Sequence, residues 1–248
     1  MTAEAQGRVT AAVLVIGDEI LSGRTKDKNI GYIADYLTAI GIDLREVRIV
    51  PDVEEEIVAA VNALRSRYDY LFTTGGIGPT HDDITADSVA KAFGVGISED
   101  PRAIAMLLER IKPEDLNEAR RRMARIPHGA DLIPNPVSKA PGFRIGNVIV
   151  MAGVPAIMQA MLDEVAPTLK TGKRMLSATI RADAKEGDIA APLKAIAEAH
   201  PDVSIGSYPF SEDGRFNTNI VVRSPDPERL ETVRAAVAEM VARLRTTS

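Results

Sequence analysis

The chain has no cysteine and no tryptophan, and its aromatic residues are five Tyr and five Phe among 248 residues. Without thiols there are no disulfides, zinc–thiolate centres, iron–sulfur clusters or cysteine nucleophiles. So few rings argue against base-stacking platforms and aromatic carbohydrate clefts. No run of about 18 apolar residues occurs, so no membrane-spanning helix is expected. Residues 1–10 have no apolar core of the signal-peptide kind, which makes the cytoplasm the expected location. Neither charge sign dominates: 35 acids and 30 bases leave a net charge of −5, with no general attraction to nucleic acid or to an anionic membrane. What is present, 45% hydrophobic and 26% charged residues, suits a globular chain of one large domain or one medium and one small domain.

Apolar runs and helical periodicities alternate through the first half. Residues 10–16 (TAAVLVI) read as a buried parallel strand ending at Gly17. A helix is expected over 29–40 with Gly41 as its stop, then a strand over Ile42–Val50 and a helix over 53–66. The latter opens on Glu54, Glu55 and Glu56, charges that suit a helix N-terminus. A third strand over 68–74 breaks at Gly75-Gly76, and a helix over 83–93 closes at Gly94. The order predicts an α/β layer structure with a mostly parallel sheet and a ligand site beyond the strands' carboxyl ends.

From 94 to 142 the pattern loosens into two short helices, 101–111 and 116–122, and a stretch with Pro127, Pro134, Pro136 and Pro141. A hairpin over 143–145 and 148–151 follows, then a helix from Pro155 to about 166. Beyond a linker at 170–173, strand 175–181, helix 188–200, strands 203–208 and 216–222 and helix 227–244 give a βαββα order. That order suggests a small split-βαβ domain. The expected boundaries are 8–169 and 173–248.

The strongest chemical signal is Thr73-Thr74-Gly75-Gly76-Ile77-Gly78-Pro79-Thr80-His81-Asp82-Asp83-Ile84-Thr85. Glycines let amides approach an anion closely, and Asp82 and Asp83 suit a divalent cation bridging carboxylate and phosphate oxygens. A tight βα turn with an Asp cap satisfies the same residues, so both readings stay open. Gly17-Asp18-Glu19-Ile20-Leu21-Ser22-Gly23-Arg24 places two carboxylates after the first strand, as a site or as a solvated turn. Its spacing fits neither the dinucleotide fingerprint nor the P-loop. Asp52, taken alone, reads as a helix cap. His81, His128 and His200 form no metal spacing, although His81 lies inside the glycine loop. Arg120, Arg121, Arg122 and Arg125 follow the acids Glu114, Asp115 and Glu118. They read as a salt-bridged solvated face, with an anion-gripping flap or a subunit contact as the lesser alternatives.

With these motifs in order along nearly the whole chain, the sequence resembles the MoaB/MogA-like molybdopterin-binding superfamily, and within it the CinA-like branch. Further matches are Asp27 with Asn29, Val50-Pro51-Asp52, Asn135-Pro136, Ala140-Pro141-Gly142-Phe143 and Gly153-Val154-Pro155. Ile205-Gly206-Ser207-Tyr208-Pro209 is similar to that branch's small KH-like subdomain. The resemblance implies a three-layer MogA-like domain plus a small α+β domain; a carboxyl-terminal amidase domain, which the branch's full-length members carry, is not expected here.

It also implies a metal-dependent nucleotide pyrophosphatase acting on ADP-ribose or FAD. The alternatives are a molybdopterin adenylyltransferase and a non-catalytic nucleotide-binding module. On this reading Asp83, Asp82 and Asp52 are the catalytic candidates, and Asp83, Asp82 and Asp18 hold Mg²⁺ or Co²⁺. Gly17, Asp18, Glu19, Ser22, Thr74, Gly75, Gly76, Gly78, Thr85, Lys139, Pro141 and Gly142 would surround a nucleotide or pterin. A homo-oligomer is expected. Two departures from the pattern stand out: Ser138-Lys139 in place of Gly-Thr, and Ile157 in place of Glu.

Overall fold

The apolar run after residue 9 forms β1 (Val9–Ile16), whose last six residues are all buried in the computed structural model, which describes residues 8–247. The reading of residues 1–10 as lacking a signal peptide falls mostly on residues 1–7, outside that range. After β1 come α1 (Asp18–Leu21), α2 (Asn29–Ala39), β2 (Ile42–Val50), α3 (Glu54–Arg65), β3 (Tyr70–Thr74) and α4 (Thr85–Phe93). Next are β4 (Ile97–Glu99), α5 (Pro101–Leu108), α6 (Glu118–Arg122), β5 (Arg125–Pro127) and β6 (Asp131–Ile133). β7 (Gly142–Ile145), β8 (Val148–Met151) and α7 (Pro155–Val165) complete the first unit, residues 8–172.

Its six-stranded sheet has the order β2-β1-β3-β8-β7-β6. The first four strands are parallel neighbours, and β7 and β6 continue antiparallel at one side. Side chains alternate across β1, so the two faces fill separate cores. Ala12, Leu14 and Ile16 pack with Ile57, Val61 and Leu64 of α3 and Val89 of α4. Ala11, Val13 and Val15 pack with Ile33 and Leu37 of α2 and Met158, Met161 and Leu162 of α7. This is the three-layer α/β arrangement, and it leaves the carboxyl ends of β1, β3 and β8 side by side.

Several local expectations are corrected. α4 starts at Thr85 instead of residue 83, because the Asp83 carboxylate turns back onto Thr80 and does not open the helix. Val53, not Asp52, is the cap of α3, and no side chain bonds there. The segment 94–142 contains three short strands besides its helices: β5 pairs with β4, and β6 joins the main sheet. α1 is one helical turn, at residues whose sequence suggests a site or a solvated turn.

Residues 173 onward form the second unit: β9 (Leu176–Arg181), α8 (Glu186–Ala199), β10 (Ser204–Glu212), β11 (Arg215–Ser224) and α9 (Pro227–Thr247). β11 lies between β9 and β10 and is antiparallel to both, so β9 and β10 are parallel and split by it. The β10–β11 hairpin runs longer than the sequence suggested, because Asp213 and Gly214, both at positive φ, make a tight turn at its tip. Ile189, Leu193, Ile220, Val222, Val233 and Val237 form its core. Among the described residues, no helix is long and apolar enough to cross a membrane.

Candidate functional site

Three loops meet where β1, β2 and β3 end. Gly17 donates its amide to the Val50 carbonyl at 3.1 Å, and the Asp18 amide donates to Asp52 Oδ2 at 2.9 Å. The loop after β2 is thus tied to the start of α1. Glu19 folds back over Gly17: a Cβ there would lie 2.4 Å from a Glu19 carboxylate oxygen. Burial is the main influence raising the Asp52 carboxyl above the ordinary range. The Asp18 amide opposes it, while Asp18, Glu19 and Asp82 reinforce it through like charge. Four carboxylates of the sequence reading therefore share one electrostatic field. Ser22 closes α1, its hydroxyl 3.3 Å from the Glu19 carbonyl.

The glycine loop is held open by close approach. Gly75 (φ 101°) has no room for a side chain, since a Cβ would lie 2.1 Å from the Ile16 carbonyl oxygen. Its amide donates to the Met151 carbonyl at 3.3 Å, which joins the ends of β3 and β8. Thr85 fastens the far side: its hydroxyl donates to the Gly75 carbonyl at 2.9 Å and its amide to the Gly76 carbonyl at 3.0 Å. Thr85 is thus a buried brace of the loop. Between these anchors, no group among the described residues accepts from the amides of Gly76, Ile77 or Gly78. Successive free amides after a strand form an anion-binding concavity.

Asp83 accepts from the Thr80 amide at 2.8 Å and the Thr80 hydroxyl at 2.5 Å. Asp82 is exposed, and the Thr80 hydroxyl beside it, its own amide and His81 hold its carboxyl below the usual range. Among the described residues, no three acidic or histidine side chains are grouped closely enough to hold a metal ion. The donor set is instead one of hard oxygens in ones and twos. That fits a magnesium-type cation, which keeps its waters and takes one or two carboxylates plus substrate phosphates.

Other predicted residues are placed less directly. Thr74 is buried, and its hydroxyl, like that of Thr73 and Oδ1 of Asn29, has no protein partner. Lys139 sits at φ 67°, and its Nζ is 2.6 Å from Glu109 Oε2. Pro141 and Gly142 are buried; a Cβ on Gly142 would meet the Val150 carbonyl at 2.3 Å, so this glycine serves the β7–β8 pairing. Asn29 had no role assigned from sequence, yet its Nδ2 donates to the Gly153 carbonyl at 2.8 Å, tying α2 to the loop before α7. Arg122, read as part of a solvated face, donates to the Asp83 carbonyl at 3.3 Å. Two of its fellow arginines pair with acids other than the adjacent ones: Arg121 with Glu99 at 2.7 Å, and Arg125 with Asp87. The residue spacing within the Asp27-Asn29 motif was the available signal for Asn29; Arg122 had none beyond its charge.

Residues 12–171 match the model of a family described as "Probable molybdopterin binding domain", and residues 174–246 match "FAD synthase, middle domain". A "Probable FAD synthase" of Caenorhabditis briggsae is 31% identical over 260 residues, covering 94% of this chain and 50% of that protein. A "CinA-like protein" of Citrifermentans bemidjiense is 43% identical over 169 residues, covering 65% of this chain and 41% of that one. The chain therefore spans half or less of these two relatives. The crystal structure of CinA from Thermoplasma acidophilum, a protein of unknown function, aligns with TM-score 0.62 at 36% identity. That alignment covers 65% of this chain and 98% of the other.

Proposed function

This chain belongs to the MoaB/MogA-like molybdopterin-binding domain family, and we propose that within it the chain is a metal-dependent nucleotide pyrophosphatase for ADP-ribose- or FAD-type substrates. The observation that carries the reading is the run of free amides at Gly76, Ile77 and Gly78 beside a field of carboxylates. Backbone donors of this kind suit a diphosphate, and adjacent acids suit its cleavage by water. The match of residues 174–246 to a FAD synthase segment supports a dinucleotide as the substrate class.

In the proposed reaction, water attacks one phosphorus, the bridging P–O bond breaks, and two phosphate monoesters leave. Gly76, Ile77 and Gly78 bind the non-bridging oxygens. Asp52, whose carboxyl is raised by burial, is the group suited to take the proton of the attacking water. Its hold on the Asp18 amide fixes its orientation. Asp18, Asp82 and Asp83 are the candidate carboxylates, of which one or two, not all three together, would hold a divalent cation alongside substrate phosphates; when bound it supplies charge neutralisation at the phosphoryl oxygens.

The test is hydrolysis of ADP-ribose and FAD with and without Mg²⁺ or Co²⁺, with products separated by chromatography. Metal-dependent release of AMP is expected. Retained ligand without turnover would identify a non-catalytic nucleotide-binding module. Neither turnover nor nucleotide binding would return the assignment to a pterin ligand.

A further inference from the structure

The four-arginine segment at residues 120–125 is not uniform. Arg121 and Arg125 each have a carboxylate partner, Glu99 and Asp87, and Arg120 donates to the Asp115 carbonyl. Arg122 has no carboxylate partner among the described residues. One of its terminal nitrogens donates to the Asp83 carbonyl at 3.3 Å, and its Nε is buried with no acceptor at all. Guanidinium stays charged at any physiological pH, and an unpaired buried donor on it is costly. The cleft in which it sits is also lined by Gly76, Gly78, Asp83 and Pro141, so the unpaired cation and the free amides of the glycine loop border one space.

We propose that Arg122 is a phosphate-binding residue of this site, gripping the diphosphate from the flank of the glycine loop. The proposal rests on the diphosphate reading above and adds a residue to it. Arg122 lies 39 residues from Asp83 in sequence, on the last turn of α6, and its bond to the Asp83 carbonyl sets it beside the loop. A planar fork of donors matches two oxygens of a phosphate, which a lysine ammonium matches less well. With no three-acid metal group among the described residues, a fixed protein cation also supplies part of the charge neutralisation that a diphosphate needs.

The test is calorimetric binding of inorganic pyrophosphate, ADP and adenosine to the wild-type chain and to Arg122→Ala, Arg122→Lys and Arg121→Ala. Thermal melting of each protein is recorded alongside. Arg122→Ala is expected to weaken pyrophosphate and ADP binding ten- to hundredfold and to leave adenosine binding unchanged. Arg122→Lys should fall between it and the wild type, and Arg121→Ala should match the wild type. If Arg122→Ala does not fold, Arg122→Lys alone decides: wild-type affinity for pyrophosphate in that variant counts against a fork-specific grip and overturns the proposal. Pyrophosphate binding that is unaffected in a folded Arg122→Ala overturns the role of Arg122 and leaves the glycine-loop reading standing. A wild-type protein that binds neither pyrophosphate nor ADP overturns both.

Discussion

Asp52 Oδ2 accepts the amide of Asp18 at 2.9 Å, across 34 residues of sequence, and this bond joins the exits of two neighbouring parallel strands. It keeps a carboxylate among other carboxylates, where burial raises it and Asp18, Glu19 and Asp82 add repulsion. Such a group works against stability in its charged form. Its folded-state pKa is above the unfolded value, so the destabilisation is absent below the ordinary carboxylate range. It grows as pH rises from there through the raised value.

Asp52→Asn should therefore melt at a higher temperature than the wild type at pH 7 and show no such advantage near pH 3. The amide oxygen of Asn can still accept from Asp18, so the loop junction survives. Turnover of ADP-ribose should fall by about a hundredfold or more, the usual scale of a lost proton acceptor. Paired melting curves at the two pH values and one rate measurement check both halves.

The glycine loop yields a graded prediction. At Gly75 an added methyl meets a backbone carbonyl at 2.1 Å, and the φ of 101° is one that L residues rarely adopt. Nothing flexible can yield there, so Gly75→Ala should cost more than about 3 kcal/mol or abolish folding. Gly23 also has positive φ, 71°, but open space around it, so Gly23→Ala should cost only about 1 kcal/mol. Urea unfolding of the two variants side by side measures the difference.

The features legible in the sequence were those written in local pattern. The unbroken TAAVLVI run reads as a strand buried on both faces, and Gly75-Gly76 as the end of another. The βαββα order, likewise, gave the split arrangement of β9 and β10 around β11. The contacts of Asp52 and Arg122 were not legible in local pattern, because their partners lie 34 and 39 residues away; only the family resemblance had put Asp52 among the catalytic candidates. Local rules assign such a residue to the nearest use, a helix cap for Asp52 and a solvated salt bridge for Arg122. Long-range contacts set by the sheet override both. The start of α4 was misplaced for a related reason: an Asp pair looks like a cap until Thr80 is seen to take one of its carboxylates.

Lys139 stands in the left-handed region at φ 67°, where the related motif has its Gly-Thr pair displaced by Ser138-Lys139. Backbone strain of this kind in a non-glycine residue costs about 1 kcal/mol. Its compensation is an ion pair with Glu109, partly exposed and so worth a few tenths of a kcal/mol, within the range of about 0–1 kcal/mol for such pairs. Lys139→Gly should then be neutral to stabilising by about 0.5 kcal/mol, whereas Lys139→Ala, which keeps the strain and loses the pair, should be destabilising. Denaturant midpoints of the two variants, at equal slope, separate the backbone contribution from the ion pair.

Asp83 separates charge from shape within the glycine loop. Its Oδ2 accepts both the amide and the hydroxyl of Thr80, and a Cβ built at Gly78 would lie 2.6 Å from that same oxygen. Asp83→Asn keeps an oxygen for Thr80 and keeps the volume beside Gly78, so the loop should hold and the melting temperature should stay within about 2 °C. The negative charge is lost, and with it the ability to hold a cation, so metal-dependent turnover should fall by at least about a hundredfold. Asp83→Ala removes the acceptor as well and leaves the Thr80 donors without their partner, so it should lose stability in addition to activity. Equal stability of the two variants would mean that the Thr80 bonds contribute nothing to the loop. Wild-type turnover in a folded Asp83→Asn would remove this carboxylate from the catalytic assignment and leave Asp18 and Asp82 as the cation ligands to test.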